Sequence, residues 1–320
     1  MKEKIKNKQK RVIAIVVTFN RKELLARCIQ KICEQTFSVE KIVIFDNCSS
    51  DDSFGFIKDN FQEYFLPDAK LRIQWLRSES NVGGAGGFET ALRYSQQNDK
   101  ADYYWLMDDD GYPEKECLEQ LMKFSVSDCF IGPLVLSDKD YLSLSFPIRM
   151  RGTLNVIDTK DSPYLKEKKV LLGHVSPFNG TLIGRQLVES IGYPNGNFFI
   201  WGDEVDYMER ARKITKNLFT LPAAIFYHPR RSNVGRKMCF GLLRFNDPES
   251  ELKLFCYVRN NFYNLKNYRG SFASFLFSGK VLWYYTFTNL DLKRLRVSFF
   301  ALFDGLRGDF SRHSFYLKSK

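Results

Sequence analysis

A chain of 320 residues, 44% hydrophobic and 27% charged, carries enough apolar material for a core, which excludes wholesale disorder and leaves room for one large α/β domain plus an appendage. Its net charge of +11 calls for an acidic partner: a nucleoside diphosphate, a nucleic acid or an anionic membrane surface. Seven cysteines, odd in number and without a C-x-x-C pair, argue against a disulfide framework or a zinc site and for a reducing compartment.

Residues 1–10 read as a basic leader. The apolar run Val12–Phe19 that follows is broken by Asn20, Arg21, Lys22 and Glu23 with no small-residue cleavage site, so it is a buried first strand and not a signal peptide. Lys22–Gln35 has helical spacing, Lys41–Phe45 is a second apolar run, Phe54–Phe65 is helical, and Leu71–Leu76 alternates as a strand. Phe88–Gln97 is a helix and Tyr103–Met107 a third buried strand. Strands alternating with helices predict an α/β fold with a largely parallel sheet, whose ligands bind beyond the carboxyl ends of the strands. Leu134–Met150 and Lys169–Ile183 look like strands without tidy helices between them, which makes the sheet mixed. Residues 203–216 return to helical spacing with acids at the N-terminal end, where the helix dipole favours them. From about residue 250 the chain is helical, basic and aromatic. The predicted division is 1–10 leader, 11–240 α/β domain and 241–320 helical C-terminal region, and no stretch reaches the roughly 20 apolar residues that span a bilayer.

Each apolar run stops at a polar or glycine cluster: Thr18 to Asn20, Asp46 to Asp51, Asn81 to Gly87, and Asp108 to Asp110. Adjacent carboxylates repel, so the triplet after a buried strand needs a compensating cation or hydrogen bonds. With strand-like alternation, Asp108 and Asp110 share a face and Asp109 points elsewhere. Hard oxygens suit Mg²⁺ or Mn²⁺; a solvated acidic turn is the alternative. Gly83, Gly84, Gly86 and Gly87 would let backbone approach a phosphate at a helix N-terminus, or simply form a hinge, and they do not fit G-x-G-x-x-G because Glu89 stands where a glycine is needed. Asp46 suits a nucleobase or ribose, whereas Ser49 to Asp52 read as a helix cap. Trp201, Gly202, Asp203 and Glu204 open a helix; a carboxylate there is a general base or an ordinary dipole partner. His228 ends another apolar run, as the acids do, and imidazole is a third ligand for Mn²⁺ or a plain surface residue.

Together V-V-T-F-N-R (16–21), D-N-C-S-S-D (46–51), N-V-G-G-A-G-G-F (81–88), W-L-M-D-D-D (105–110) and F-F-I-W-G-D-E-V-D-Y (198–207) resemble family 2 glycosyltransferases with the nucleotide-sugar-binding GT-A fold, over roughly residues 10–240. Within that family the chain is most similar to bacterial galactofuranosyltransferases, with rhamnosyltransferases next. The resemblance implies that Thr18, Asn20 and Asp46 hold the nucleoside and that Asn81, Gly83 and Gly84 lie along the diphosphate, with Asp109 and Trp201 also on the donor. It implies Asp108, Asp110 and His228 as ligands of Mn²⁺ or Mg²⁺, and Asp203 as base with Glu204 the fallback. Where those galactofuranosyltransferases carry an acid directly after the tryptophan, this chain has Gly202.

The activity so implied is inverting, metal-dependent transfer of galactofuranose from UDP-galactofuranose to a hydroxyl of a glycan or lipid-linked acceptor in cell-surface polysaccharide synthesis. Rhamnosyl transfer from dTDP-rhamnose is the alternative within the family. Nucleic-acid binding is the rival of another class: the charge supports it, and the absence of a recognition motif and the acidic triplet count against it. Basic residues such as Lys280, Arg296 and Arg307 interleave with Trp283, Phe287, Phe299 and Phe303 in the C-terminal region. They fit a peripheral position on the inner face of the cell membrane, in the cytoplasm, or packing on the core or on a second subunit of a homo-oligomer.

Overall fold

The computed structural model describes residues 10–149, 156–230 and 235–317. The basic leader apart from Lys10 therefore lies outside the described residues, as do Arg231, Lys318 and Lys320. Contacts divide the chain into two compact units. One holds the described residues up to Asn81 with Gly87–Tyr193 and Arg210–Arg230, and the other holds Val82–Gly86, Pro194–Glu209 and the described residues beyond Arg230.

The first stretch alternates as its sequence periodicities predict: β1 (Val12–Thr18), α1 (Lys22–Cys33), β2 (Lys41–Asp46), α2 (Ser53–Asn60), β3 (Arg72–Arg77), α3 (Gly83–Asn98) and β4 (Tyr103–Asp108). There follow β5 (Tyr112–Pro113), α4 (Cys117–Lys123), β6 (Phe130–Ser137), β7 (Ser143–Arg149), β8 (Val156–Thr159), α5 (Pro163–Glu167), β9 (Leu171–Leu172), β10 (Asn179–Gly184), α6 (Arg185–Ile191), α7 (Asp203–Ile214) and β11 (Leu218–His228). One mixed sheet runs β3-β2-β1-β4-β10-β6-β11-β5. The first four strands are parallel, β10 is antiparallel to both neighbours, and β11 is parallel to β6. Every residue of β1 is buried, as expected of a central strand covered on both faces. Ile13, Ile15, Leu25, Ile42 and Leu106 are fully buried, each adding roughly 1.5–3 kcal/mol of burial free energy.

Four elements differ from the sequence expectation, the first being the strand predicted over Leu134–Met150, which a turn at 138–140 divides into β6 and β7. The helix predicted from Phe88 begins at Gly83, because the glycines form its first turn: Gly83 takes φ +75, and Gly87 sits where a side chain would strike Val17. The helix predicted over Phe54–Phe65 breaks at Phe61 (φ −135) and resumes as a single 3₁₀ turn. The strand predicted over Lys169–Ile183 is interrupted by a turn at Gly173 (φ +71), leaving β9 and β10.

In the second unit β12 (Arg236–Met238) and β13 (Leu243–Phe245) form a hairpin, followed by α8 (Glu251–Arg269), α9 (Ser271–Trp283), α10 (Leu292–Arg307) and α11 (His313–Leu317). Their core is built on Phe245, Phe255, Val281, Tyr284 and Tyr285. Among the described residues no helix is long and apolar enough to cross a membrane.

Candidate active site

Thr18, Asp46 and Arg77 are register partners at the carboxyl ends of β1, β2 and β3, and Asp108 ends β4 opposite Val17. Parallel strands with a common register thus bring these polar residues to one edge of the first unit. Asp46 is fully buried. One of its carboxylate oxygens accepts from Ser49 N–H at 2.8 Å. The other has no hydrogen-bond partner, and its nearest cation is Arg77, 3.7 Å away and half exposed. A buried carboxylate oxygen left this way is a strong acceptor for a ligand hydroxyl or N–H. Asn20, exposed and at φ +53, spends its side-chain oxygen on Ser50 N–H at 2.7 Å, while its own N–H donates to Ser49 Oγ at 2.9 Å. It therefore fixes the turn after β2. Asp52 caps α2 by accepting from Gly55 N–H.

The acidic triplet divides its labour. Asp109 is buried, accepts from Thr18 Oγ at 2.7 Å and faces Arg21 at 3.0 Å. Burial pushes its carboxyl up to about 6 despite Arg21 and Thr18. Arg21 also contacts Asp110 at 2.8 Å, so one guanidinium spans two carboxylates. Asp108 is pushed up to about 8 by burial and by Asp110 and Asp109, against the pull of His228 and Arg21. Asp110 is held below the usual carboxylate range: its burial acts upward, and His228 and Arg21 outweigh it.

His228, at the end of β11, places Nε2 3.2 Å from Asp110 Oδ1. That carboxylate oxygen is buried and has no aligned hydrogen bond, so the contact is one of charge and proximity. Nδ1 lies 2.9 Å from the Pro229 carbonyl oxygen, which can only accept, so Nδ1 carries its hydrogen. Nε2 is then either protonated or presents a lone pair to the carboxylate. Burial works against protonation, but Asp110 and Asp108 outweigh it and the imidazole pKa is raised. A metal-ligating imidazole characteristically donates one ring nitrogen to a backbone carbonyl, as His228 does, and gives the other, here beside Asp110, to the ion. Oxygen and imidazole donors suit Mn²⁺ or Mg²⁺, and the buried Asp110 oxygen fits a cation. Among the described residues no three acidic, histidine or cysteine groups already converge as a formed metal centre.

The remaining predicted residues divide between the units. Asn81 is half-buried at the approach to α3 in the first. Gly83, Gly84, Trp201, Asp203 and Glu204 belong to the second. There Ala85 N–H donates to the Phe199 carbonyl at 3.2 Å, and a β-carbon on Gly83 would lie 1.9 Å from that oxygen, so this close approach requires glycine. Nothing lies within 4 Å of a β-carbon built on Gly84. Asp203 is buried at the first position of α7. Glu204 accepts from Gly202 N–H at 2.7 Å, closing its own turn. Sequence reasoning passed over Arg21 and Arg77. Arg21 stood in the quoted V-V-T-F-N-R segment, and an arginine directly after a strand-end asparagine was the available signal; Arg77 ends β3 as Asp46 ends β2.

The family model for Glycosyl transferase family 2 matches residues 13–181. The chain is 29% identical over 259 residues to the galactofuranosyltransferase GlfT1 of Mycobacterium tuberculosis, covering 79% of this chain and 82% of that protein. Among solved structures it resembles TarS from S. aureus, with a TM-score of 0.57 at 14% identity over 96% of this chain; this chain spans half of that one. It also resembles the Pyrobaculum calidifontis mannosyltransferase PcManGT, solved with GDP-Man and Mn²⁺, with a TM-score of 0.53 at 13% identity over 97% of this chain and 79% of that one. At such identity the structural likenesses speak to the fold alone, the GT-A arrangement of a mixed sheet with flanking helices. The match over more than half of the chain shows that this protein belongs to glycosyl transferase family 2 and is a glycosyltransferase.

Proposed function

We propose that the chain transfers galactofuranose from UDP-galactofuranose, with inversion and with a divalent cation, onto a hydroxyl of a glycan or lipid-linked acceptor in cell-surface polysaccharide synthesis. The observation that carries this reading is the strand-end cluster of Asp108, Asp109, Asp110, His228 and Arg21. An acidic group of this density next to an imidazole is suited to a cation and through it to a diphosphate. The sugar assignment rests on similarity to GlfT1, which favours galactofuranose over rhamnose, and family membership favours a nucleotide sugar over a nucleic acid.

Asp108, Asp110 and His228 would hold Mn²⁺ or Mg²⁺, which supplies charge stabilisation for a departing diphosphate. Thr18 and Asp109 form one hydrogen-bonded unit that fixes the floor beneath the nucleoside. Asp46 offers its unpaired oxygen to ribose or base, and Arg77 adds positive charge beside it. Asn81, Gly83 and Gly84 are proposed along the diphosphate, and Trp201 against the sugar. Asp203 is the proposed base that takes the acceptor proton; Glu204, committed to its own turn, is the weaker choice. Attack from the face opposite the leaving diphosphate inverts the anomeric centre, by analogy with inverting glycoside chemistry.

A peripheral position on the inner membrane face is supported by α9, where Phe272, Phe275 and Leu276 recur at helical spacing and are 73%, 71% and 56% exposed. Tyr284 and Tyr285 are core residues instead, and Arg294 and Arg312 are paired with Asp247 and Asp304. The domain boundary near residue 240 and homo-oligomerisation are likewise proposals. A thermal-shift panel of nucleotide sugars with and without Mn²⁺ tests the function: UDP-galactofuranose should raise the melting temperature most, and only with the cation.

A further inference from the structure

The turn that opens α7 is built from residues that disfavour its shape. Phe199 and Trp201 have φ of +67 and +62, a region L-residues rarely adopt, and Gly202 has φ +90. Such a conformation persists only where surrounding structure over-determines it. Here that structure is α8, in the same unit.

Asn260, fully buried, directs its side-chain N–H group at the carbonyl oxygens of Phe198 (3.1 Å), Ile200 (3.0 Å) and Trp201 (2.6 Å). Its own oxygen is taken by Arg259 Nε at 2.8 Å, which fixes the amide's orientation. Arg259, also fully buried, donates a second bond to the Phe198 carbonyl at 2.9 Å. One turn along, Asn264 donates to the Gly202 carbonyl at 2.8 Å. After another turn, Tyr268 Oη donates to Asp206 at 2.6 Å, and Arg269 pairs with Glu209 at 2.8 Å. Asn260, Asn264 and Tyr268 stand four apart and so form one stripe along α8. The stripe grips the turn and the first two turns of α7. A β-carbon on Gly202 would lie 3.0 Å from Asn260 Cβ and 3.2 Å from Asn264 Nδ2 and would need φ near +90, so the grip favours glycine there.

We propose that Asn260 and Asn264 are positioning residues for the reaction, holding the turn 198–202 in the strained form that sets Trp201 and Asp203; this rests on the reading of Asp203 as the base. The C-terminal helices thereby serve catalysis, not only attachment or packing.

The test uses the full chain with Asn260→Asp, which keeps the shape but cannot donate, and the milder Asn264→Ala. Hydrogen–deuterium exchange is followed throughout the chain, and UDP release from UDP-galactofuranose with Mn²⁺ gives kcat and donor KM. Faster exchange confined to the turn and the start of α7, with kcat down roughly 10- to 100-fold and donor KM rising by less than kcat falls, upholds the proposal. Unchanged exchange in the turn overturns it, as does wild-type kcat despite faster exchange, or loosening spread through the whole unit. If the wild-type chain releases no UDP, the donor assignment fails instead, and the exchange pattern alone upholds or overturns the grip of α8 on the turn.

Discussion

Two adjacent glycines should respond in opposite ways to the same substitution. At Gly83 an alanine needs φ near +75, which strains an L-residue by roughly 1–2 kcal/mol. Its methyl would lie 1.9 Å from the Phe199 carbonyl oxygen and 2.5 Å from the carbonyl carbon, so backbone must retreat by more than about an ångström, an overpacking cost of typically 1–3 kcal/mol. Gly83→Ala should therefore destabilise by about 2–5 kcal/mol. Gly84 has a helical backbone and open space around its β-position, so Gly84→Ala should stabilise by about 0.5 kcal/mol through reduced chain entropy. If that open space is where a diphosphate approaches, Gly84→Ala should also weaken UDP-sugar binding by about tenfold, or 1.4 kcal/mol. Urea denaturation and calorimetric titration of the two variants measure both quantities. Unaltered stability of Gly83→Ala would refute the close approach to Phe199, and wild-type donor affinity of Gly84→Ala would remove this glycine from the donor site.

Asp203→Asn should cut transfer by on the order of 10²–10⁴-fold while donor affinity survives, as checked by turnover beside calorimetry; lost donor binding or near-normal turnover counts against its role as base. Asp46→Ala should weaken nucleoside binding in a UDP titration and lower stability modestly, since it also frees Ser49 N–H. Replacing Phe272, Phe275 and Leu276 together with serine should reduce flotation with anionic liposomes without altering the melting temperature, because these side chains are exposed; unchanged flotation dismisses membrane contact through α9.

The alternating half of the fold was legible because continuous apolar runs such as Val12–Thr18 mark strands buried on both faces and the 3.6-residue period of Lys22–Cys33 marks a helix between them. The order of polar clusters at strand ends followed from parallel topology, which alone places Thr18, Asp46 and Asp108 at one edge. The start of α3 was misplaced because glycine has low helix propensity, and packing at Gly83 and Gly87 overrides it. The split of the triplet was half legible. Alternation set Asp109 apart from its neighbours, but no local pattern says that Arg21 bridges it to Asp110. The grip of α8 on the turn before α7 joins residues about 60 apart, and sequence periodicity carries no such pairing. Only the odd Gly202 hinted that something presses there.

The central claim is that the strand-end acids and His228 bind a cation that in turn binds a diphosphate. It is tested most directly by titrating UDP into the wild-type chain and into Asp110→Asn, each with and without Mn²⁺. The account predicts tight binding only for the wild type with Mn²⁺ and a loss of at least about tenfold in the variant. Equal UDP affinity with and without the cation, or no difference between the two proteins, would contradict it.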